Sequence, residues 1–281
     1  MKQFEETPVQ FGPSSGLFGM LTRPGVGMPS EPVGCLMFNF GIHTHIGPRR
    51  VQVKLARRLA RQGVSSLRFD LSGVGESPSP SSGMPFDLQA QNDLKAAVDL
   101  LQSSGGVSRI AVIGLCSGAG HGLRFALQDA RVAGLLMFDA YRFAGVWSNV
   151  ARRFQRFRRS PWAQGSHWIK RLLGAKAPGD NMLETNEPEV PVKASDFSRS
   201  MEVLLSRAVS VYLVYSASLG GSDKRHDQLK ELRGADFLSR VRYEFMPELD
   251  HSFTLLAGQA RFGDGVEQWM QGLNLAATRT A

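Results

Sequence analysis

The chain has 281 residues, 42% hydrophobic and 21% charged, with 30 glycines, 14 prolines and two cysteines. A chain of that length buries about 75% of its unfolded surface, and the composition excludes a disordered, collagen-like or coiled-coil protein. Two cysteines, Cys35 and Cys116, exclude a disulfide framework and point to a reducing compartment, while the net charge of +8 is confined to one segment, with nine Lys or Arg and no Asp or Glu from Arg142 to Lys176 against 24 basic and 25 acidic residues elsewhere.

From the N-terminus, Met1–Gln10 carries Lys2, Glu5 and Glu6 but no apolar h-region, so no secretory signal is expected and the location expected is cytoplasmic. Early strands are predicted over Gln10–Thr22, with a turn at Gly12–Gly16, and a buried strand over Val33–Phe38. Pro48–Gln62 follows as an amphipathic helix, because Val51, Leu55 and Leu59 recur at helical spacing and Gly63 stops it. Val64–Phe69 reads as a strand that ends in the Gly- and Ser-rich turn Asp70–Ser77. Then come a helix near Leu88–Gln102, a central strand at Arg109–Leu115, a helix at Gly118–Gln128 and a strand at Val132–Phe138. Apolar runs such as this last one fall far short of the roughly 20 residues needed to span a bilayer. The alternation stops from Tyr141 to about Arg207 and resumes with a strand at Val209–Tyr215, a helix near Lys224–Arg233, a strand at Arg240–Phe245 and a helix at Gly265–Leu273. Alternating strands and helices predict a mostly parallel sheet flanked by helices. The division expected is a first core part at 1–140, a cap insertion at 141–207 and a second core part at 208–281.

Gly114-Leu115-Cys116-Ser117-Gly118 lies where a predicted strand meets a predicted helix. A nucleophile elbow needs small residues two before and two after its apex, since the turn is too tight for a Cβ there, and this spacing makes Cys116 the candidate nucleophile. A buried cysteine beside an ordinary Gly-rich turn is the alternative, and Ser117 is a rival nucleophile one residue past the apex. His251, in the loop Pro247–Phe253 after the last predicted strand, is the candidate base at the carboxyl edge of the sheet. The third member, a carboxylate that orients the histidine, is expected between nucleophile and histidine in chain order. Asp223 fits, although it equally suits a helix N-cap; Asp227, Asp139 and Asp250 are the alternatives.

Together, Phe38-Asn39-Phe40-Gly41, Phe69–Ser77, the Cys116 elbow and Asp250-His251-Ser252-Phe253 make the chain similar to the α/β-hydrolase superfamily over nearly its whole length. More narrowly, Gly41 through Gly47-Pro48-Arg49-Arg50, Leu67-Arg68-Phe69-Asp70 and Gly114-Leu115-Cys116 resemble cysteine-containing hydrolases associated with exosortase systems and natural-product clusters. An elbow cysteine also resembles that of dienelactone hydrolases. The resemblance implies an α/β-hydrolase fold with a basic helical cap, a Cys116, Asp223 and His251 triad, and an oxyanion hole from the backbone N–H groups of Ser117 and Ile42. Asp223 stands later after its strand than that pattern leads one to expect.

Chemically, a thiol at a helix N-terminus beside a histidine is readily activated. Attack on an acyl carbonyl would give a thioester acyl-enzyme, its oxyanion held by two N–H groups worth about 3 kcal/mol each. A thiolate leaves before an amine does, so esters and thioesters are the expected small-molecule substrates and amides are not. Acyl transfer with the same triad, or a non-catalytic binding module, are the other classes. Within the insert, Val146, Trp147, Val150, Phe154 and Phe157 fall near one helical face and Arg152, Arg153, Arg156 and Arg159 on the other. Such a face either is simply solvated or docks an acidic partner such as an acyl carrier protein, an anionic substrate or anionic lipid, through Arg152, Arg153, Arg156 and Trp147. Nucleic acid is not expected, for lack of any accompanying motif. His43, His45 and His121 have no ligand-spaced partners, so no metal or other cofactor is expected. Cys35 reads as core, and Gly73-Val74-Gly75 as a turn beside the active site rather than a dinucleotide fingerprint.

Overall fold

The computed structural model describes residues 3–41, 43–80, 83–141, 193–216, 229, 232 and 234–280. Among them, eight strands form one sheet in the order β1-β2-β4-β3-β5-β6-β7-β8. The strands are β1 (Phe4–Phe11), β2 (Leu17–Pro24), β3 (Val33–Phe38), β4 (Ser66–Phe69), β5 (Arg109–Leu115), β6 (Val132–Phe138), β7 (Ser210–Ser216) and β8 (Arg242–Met246). The helices are α1 (Val51–Ala60), α2 (Phe86–Gly105), α3 (Ser117–Gln128), α4 (Ala194–Ser206) and α5 (Leu256–Thr280). β1 and β2 pair antiparallel with each other and β2 pairs antiparallel with β4, while β4, β3, β5, β6, β7 and β8 run parallel.

Each face of the sheet carries its own core. Leu94, Val98 and Leu101 of α2, Leu123 and Phe125 of α3, and Phe197, Met201 and Leu204 of α4 pack with Leu36, Leu67, Val112, Leu135 and Leu213 on one side. On the other, the Val51, Leu55 and Leu59 stripe of α1 and Phe262, Val266 and Trp269 of α5 pack with Cys35, Met37, Ile113 and Leu136. Strands covered on both faces read as unbroken apolar runs, which is why β3, β5 and β6 stand out in the sequence. Cys35 is fully buried in this core and desolvation pushes its thiol far up.

Boundaries differ from the sequence reading at β1 and at the end of the insert, among others. β1 starts at Phe4 rather than Gln10, because its polar stretch is an edge strand whose side chains are satisfied across the fold. Glu6 binds Arg57 at 2.6 Å and Arg68 at 3.3 Å, and Pro8 sits where the edge forgives a missing N–H. The segment 141–207, read as a cap, ends in α4, a crossover helix whose apolar stripe is buried on the sheet. Residues 142–192 lie outside the described set, as does most of the helix expected at Lys224–Arg233.

The strand order changes direction between β3 and β5, so the loops after these two strands diverge to opposite sides. The crevice that results at the carboxyl ends is where open α/β sheets bind ligands.

Candidate active site

Cys116 stands in that crevice, between β5 and α3, with φ 49° and ψ −121°. A non-glycine residue in this region stores about 1–3 kcal/mol of strain, and such strain concentrates at functional positions. The turn is pinned on both sides: the Cys116 N–H donates to the Phe138 carbonyl at 2.8 Å, and its own carbonyl accepts from Ala119 N–H at 3.0 Å. A Cβ on Gly114 would come within 2.6 Å of the Ala119 Cα and 2.8 Å of the Gly118 carbonyl oxygen. The glycine spacing that singled out Cys116 is therefore a steric requirement of the observed turn. The half-buried sulfur sits at the positive end of the 12-residue helix α3.

His251 approaches from the loop between β8 and α5. Its ring stacks on Phe138, with centroids 6.1 Å apart and planes 27° from parallel. Two residues on, Phe253 takes φ +54° and buries its ring between Phe138, at 4.7 Å, and Phe262 of α5, at 5.1 Å. Gln259 of α5 donates to the Phe253 carbonyl at 2.6 Å. Asp250 spends its carboxylate inside the loop, accepting from the N–H groups of Ser252 at 2.8 Å and Thr254 at 3.1 Å. That local use removes Asp250 from the candidate acids.

The carboxylate at the histidine is Asp139, directly after β6. Its Oδ2 lies 2.9 Å from His251 Nδ1, and it also accepts from the Ser216 hydroxyl at 2.6 Å, while Oδ1 accepts from the Ser216 N–H at 2.7 Å. The side chain of Asp139 is completely buried, and its φ of 48° turns it back over the end of β7. Asp139, one of the alternatives the sequence left open, thus holds this place among the described residues. β5, β6 and β7 are adjacent and parallel, so their ends bring Cys116, Asp139 and Ser216 to one edge without help from a later loop. Asp223 and Asp227 lie outside the described residues.

With Nδ1 donating to Asp139, the other ring nitrogen of His251 is left for Cys116, which is hydrogen-bonded to the ring. The hydrogen bonds to Asp139 first and to Cys116 second hold the proton on the imidazole, and His251 is pushed up to about 10 despite partial burial. The imidazole therefore holds its proton beside the sulfur of Cys116.

The loop after β3 closes a third side. Gly41 N–H donates to the Ser117 hydroxyl at 2.9 Å, and His43 N–H closes the turn onto the Phe40 carbonyl at 3.0 Å. Ser117 heads α3 with its N–H beside the elbow, and its hydroxyl is engaged by Gly41, not placed at the strained apex as a nucleophile. Behind the turn lies a second His–Asp pair that the sequence reading missed. Asp70, after β4, accepts from His45 N–H at 2.6 Å and Glu76 N–H at 3.1 Å, and lies 2.8 Å from His45 Nδ1. Asn39 accepts from Leu71 N–H at 2.7 Å alongside. The pair ties the loops after β3 and β4 together. A buried aspartate followed by turn glycines was its one signal, and Gly75 is indispensable to it, because a Cβ there would fall 2.3 Å from Asp70 Oδ2.

Of the other expected residues, Ile42, Trp147, Arg152, Arg153 and Arg156 lie outside the described set. Among the described residues no three His, Cys, Asp or Glu side chains form a metal-ligating group, and no helix is long and apolar enough to cross a membrane.

Residues 40–262 match the family model described as the alpha/beta hydrolase family. Solved structures with the same fold include an esterase from Pyrococcus furiosus, 16% identical with a TM-score of 0.56, covering 95% of this chain and 91% of that one. Another is a serine hydrolase without a lid from Xanthomonas campestris, 15% identical with a TM-score of 0.54 and 96% of both chains covered. Est1E from Butyrivibrio proteoclasticus is 15% identical with a TM-score of 0.56, over 95% of this chain and 98% of that one. Among curated proteins, the uncharacterized protein YcjY of Escherichia coli is 30% identical over 100 residues, 34% of this chain and 31% of its own length.

Proposed function

The chain belongs to the alpha/beta hydrolase family, and from that premise we propose that it is a cysteine-dependent acyl hydrolase acting on esters or thioesters through a Cys116, His251 and Asp139 triad. The observation that carries the reading is His251 bound through Nδ1 to a buried carboxylate and hydrogen-bonded to Cys116 at the strained elbow. Resemblance to the cysteine-containing branch of the family supports the roles of Cys116 and His251, whereas Asp139 rests on its contact with His251.

In this mechanism the Cys116 sulfur adds to the acyl carbonyl, and the oxyanion is held by the Ser117 N–H and a donor of the loop after β3, where Ile42 is the candidate. The tetrahedral adduct collapses with loss of the alkoxide or thiolate, which takes the proton from His251. Acylation removes the interactions with Cys116 that help to raise His251. The imidazole then falls toward its ordinary range and can remove a proton from water, whose oxygen attacks the thioester and releases Cys116. The basic segment from Arg142 to Lys176 supports an anionic carrier of the acyl group, with Arg152, Arg153, Arg156 and Trp147 as its contacts.

The test is iodoacetamide labelling of Cys116 across pH, in wild type and His251→Ala, beside hydrolysis of a short acyl thioester. Labelling faster than a free thiol at neutral pH, slowed in the variant and parallel to turnover, is expected. Labelling at free-thiol rates without turnover would sink the assignment.

A further inference from the structure

Ser117 sits next to the nucleophile of the proposed triad, and its hydroxyl accepts the Gly41 N–H across 76 residues of sequence. We propose that Ser117 is a positioning residue whose hydroxyl latches the Phe40–His43 turn onto the elbow and so fixes the wall of the oxyanion site that faces its own N–H. The inference rests on Cys116 being the nucleophile. The turn is bent by Gly41 at φ +50° and closed on itself by the His43 to Phe40 bond. At its base it packs hard on α3: a Cβ on Gly118 would stand 3.2 Å from the Phe38 ring, 3.4 Å from the Phe40 Cβ and 3.5 Å from the Asn39 carbonyl oxygen. On either side, buried bonds hold Asn39 to Leu71 and His45 to Asp70. Between those anchors Gly41 and His43 are exposed, and the Ser117 hydroxyl is what ties the crest of the turn to the helix. Donors that stabilise a developing oxyanion must be in place before the charge appears, within fractions of an ångström. One exposed hydrogen bond adds little to global stability, so its effect falls on the geometry of this site.

Two reactions of the same sulfur test the latch. Alkylation by iodoacetamide passes through no oxyanion, whereas acylation by p-nitrophenyl acetate does. Ser117→Ala is expected to alkylate within about twofold of wild type while its acylation rate falls about tenfold, chiefly in kcat. Ser117→Thr, which keeps the hydroxyl, is expected to recover most of that loss. Unchanged acylation in Ser117→Ala overturns the latch and leaves the nucleophile standing. Equal loss of both reactions overturns it too, since the elbow itself is then disturbed. A wild-type Cys116 that alkylates no faster than a free thiol and does not acylate overturns the underlying reading instead.

Discussion

The molecule builds the same pair twice and uses it differently. Asp70 and Asp139 both follow a strand, both are fully buried, and both meet a histidine Nδ1, at 2.8 and 2.9 Å. Each also accepts backbone N–H groups that lock its carboxylate. The difference lies beyond the ring. His45 is buried to 5% side-chain exposure with its ring edge-on to Phe18, whereas His251 keeps 37% and shares its second nitrogen with Cys116. The buried histidine–aspartate pair staples two loops; the half-open pair is, in the proposed mechanism, the proton relay. Exposure of the outer nitrogen decides which.

Substitutions should separate the two pairs, and the largest effects fall on chemistry. Cys116→Ala should abolish turnover of a short acyl thioester, and Asp139→Asn should cut kcat by about 10³–10⁴ through loss of the oriented tautomer, with the circular-dichroism spectrum preserved. Asp70→Ala should do the reverse: a loss of about 3–5 kcal/mol in denaturant unfolding, with kcat of the folded protein down less than about tenfold. If Asp70→Ala proves as inactive as Asp139→Asn while remaining as stable as wild type, the division between staple and relay is wrong.

Smaller still, Gly75→Ala should cost about 1–3 kcal/mol, because φ +57° and the Asp70 carboxylate both oppose a Cβ there. The last effect, screened because the His251 side chain is 37% exposed, is on pH dependence. His251 is raised from 6.5 to about 10, so the folded state holds a proton that the unfolded chain releases between those values. The stability it contributes is full below 6.5 and is lost as pH rises through about 10. Unfolding at about pH 6 and about pH 9 should show a shallower decline for His251→Gln than for wild type.

Much of this was legible in the sequence. The apolar runs of β3, β5 and β6 announced strands buried on both faces, and Gly114 and Gly118 announced a turn with no room for a Cβ. Asp139 was visible as a residue that ends an apolar run and satisfies the same chain order as Asp223, but the resemblance implied Asp223, and adjacency of β6 to both β5 and β7 is a tertiary fact that no local pattern carries. β1 was half-hidden because Glu5, Glu6 and Thr7 look like a solvated terminus until Arg57 and Arg68 are seen beside them. Likewise α5 runs from Leu256 to Thr280, longer than Gly265–Leu273, since Gly258 and Gly263 mask a helix of which Phe262, Val266, Trp269, Met270 and Leu273 bury against the sheet.

The anchoring of Phe253 under α5 also orders events during synthesis. Cys116 and Asp139 leave the ribosome early, whereas His251 follows 112 residues after its aspartate and is seated when Phe262 and Gln259 arrive. Until α5 docks, a chain carrying the proposed triad has a sulfur with no proton relay. On that reading catalytic competence follows the docking of α5, and turnover counts the molecules in which it has packed.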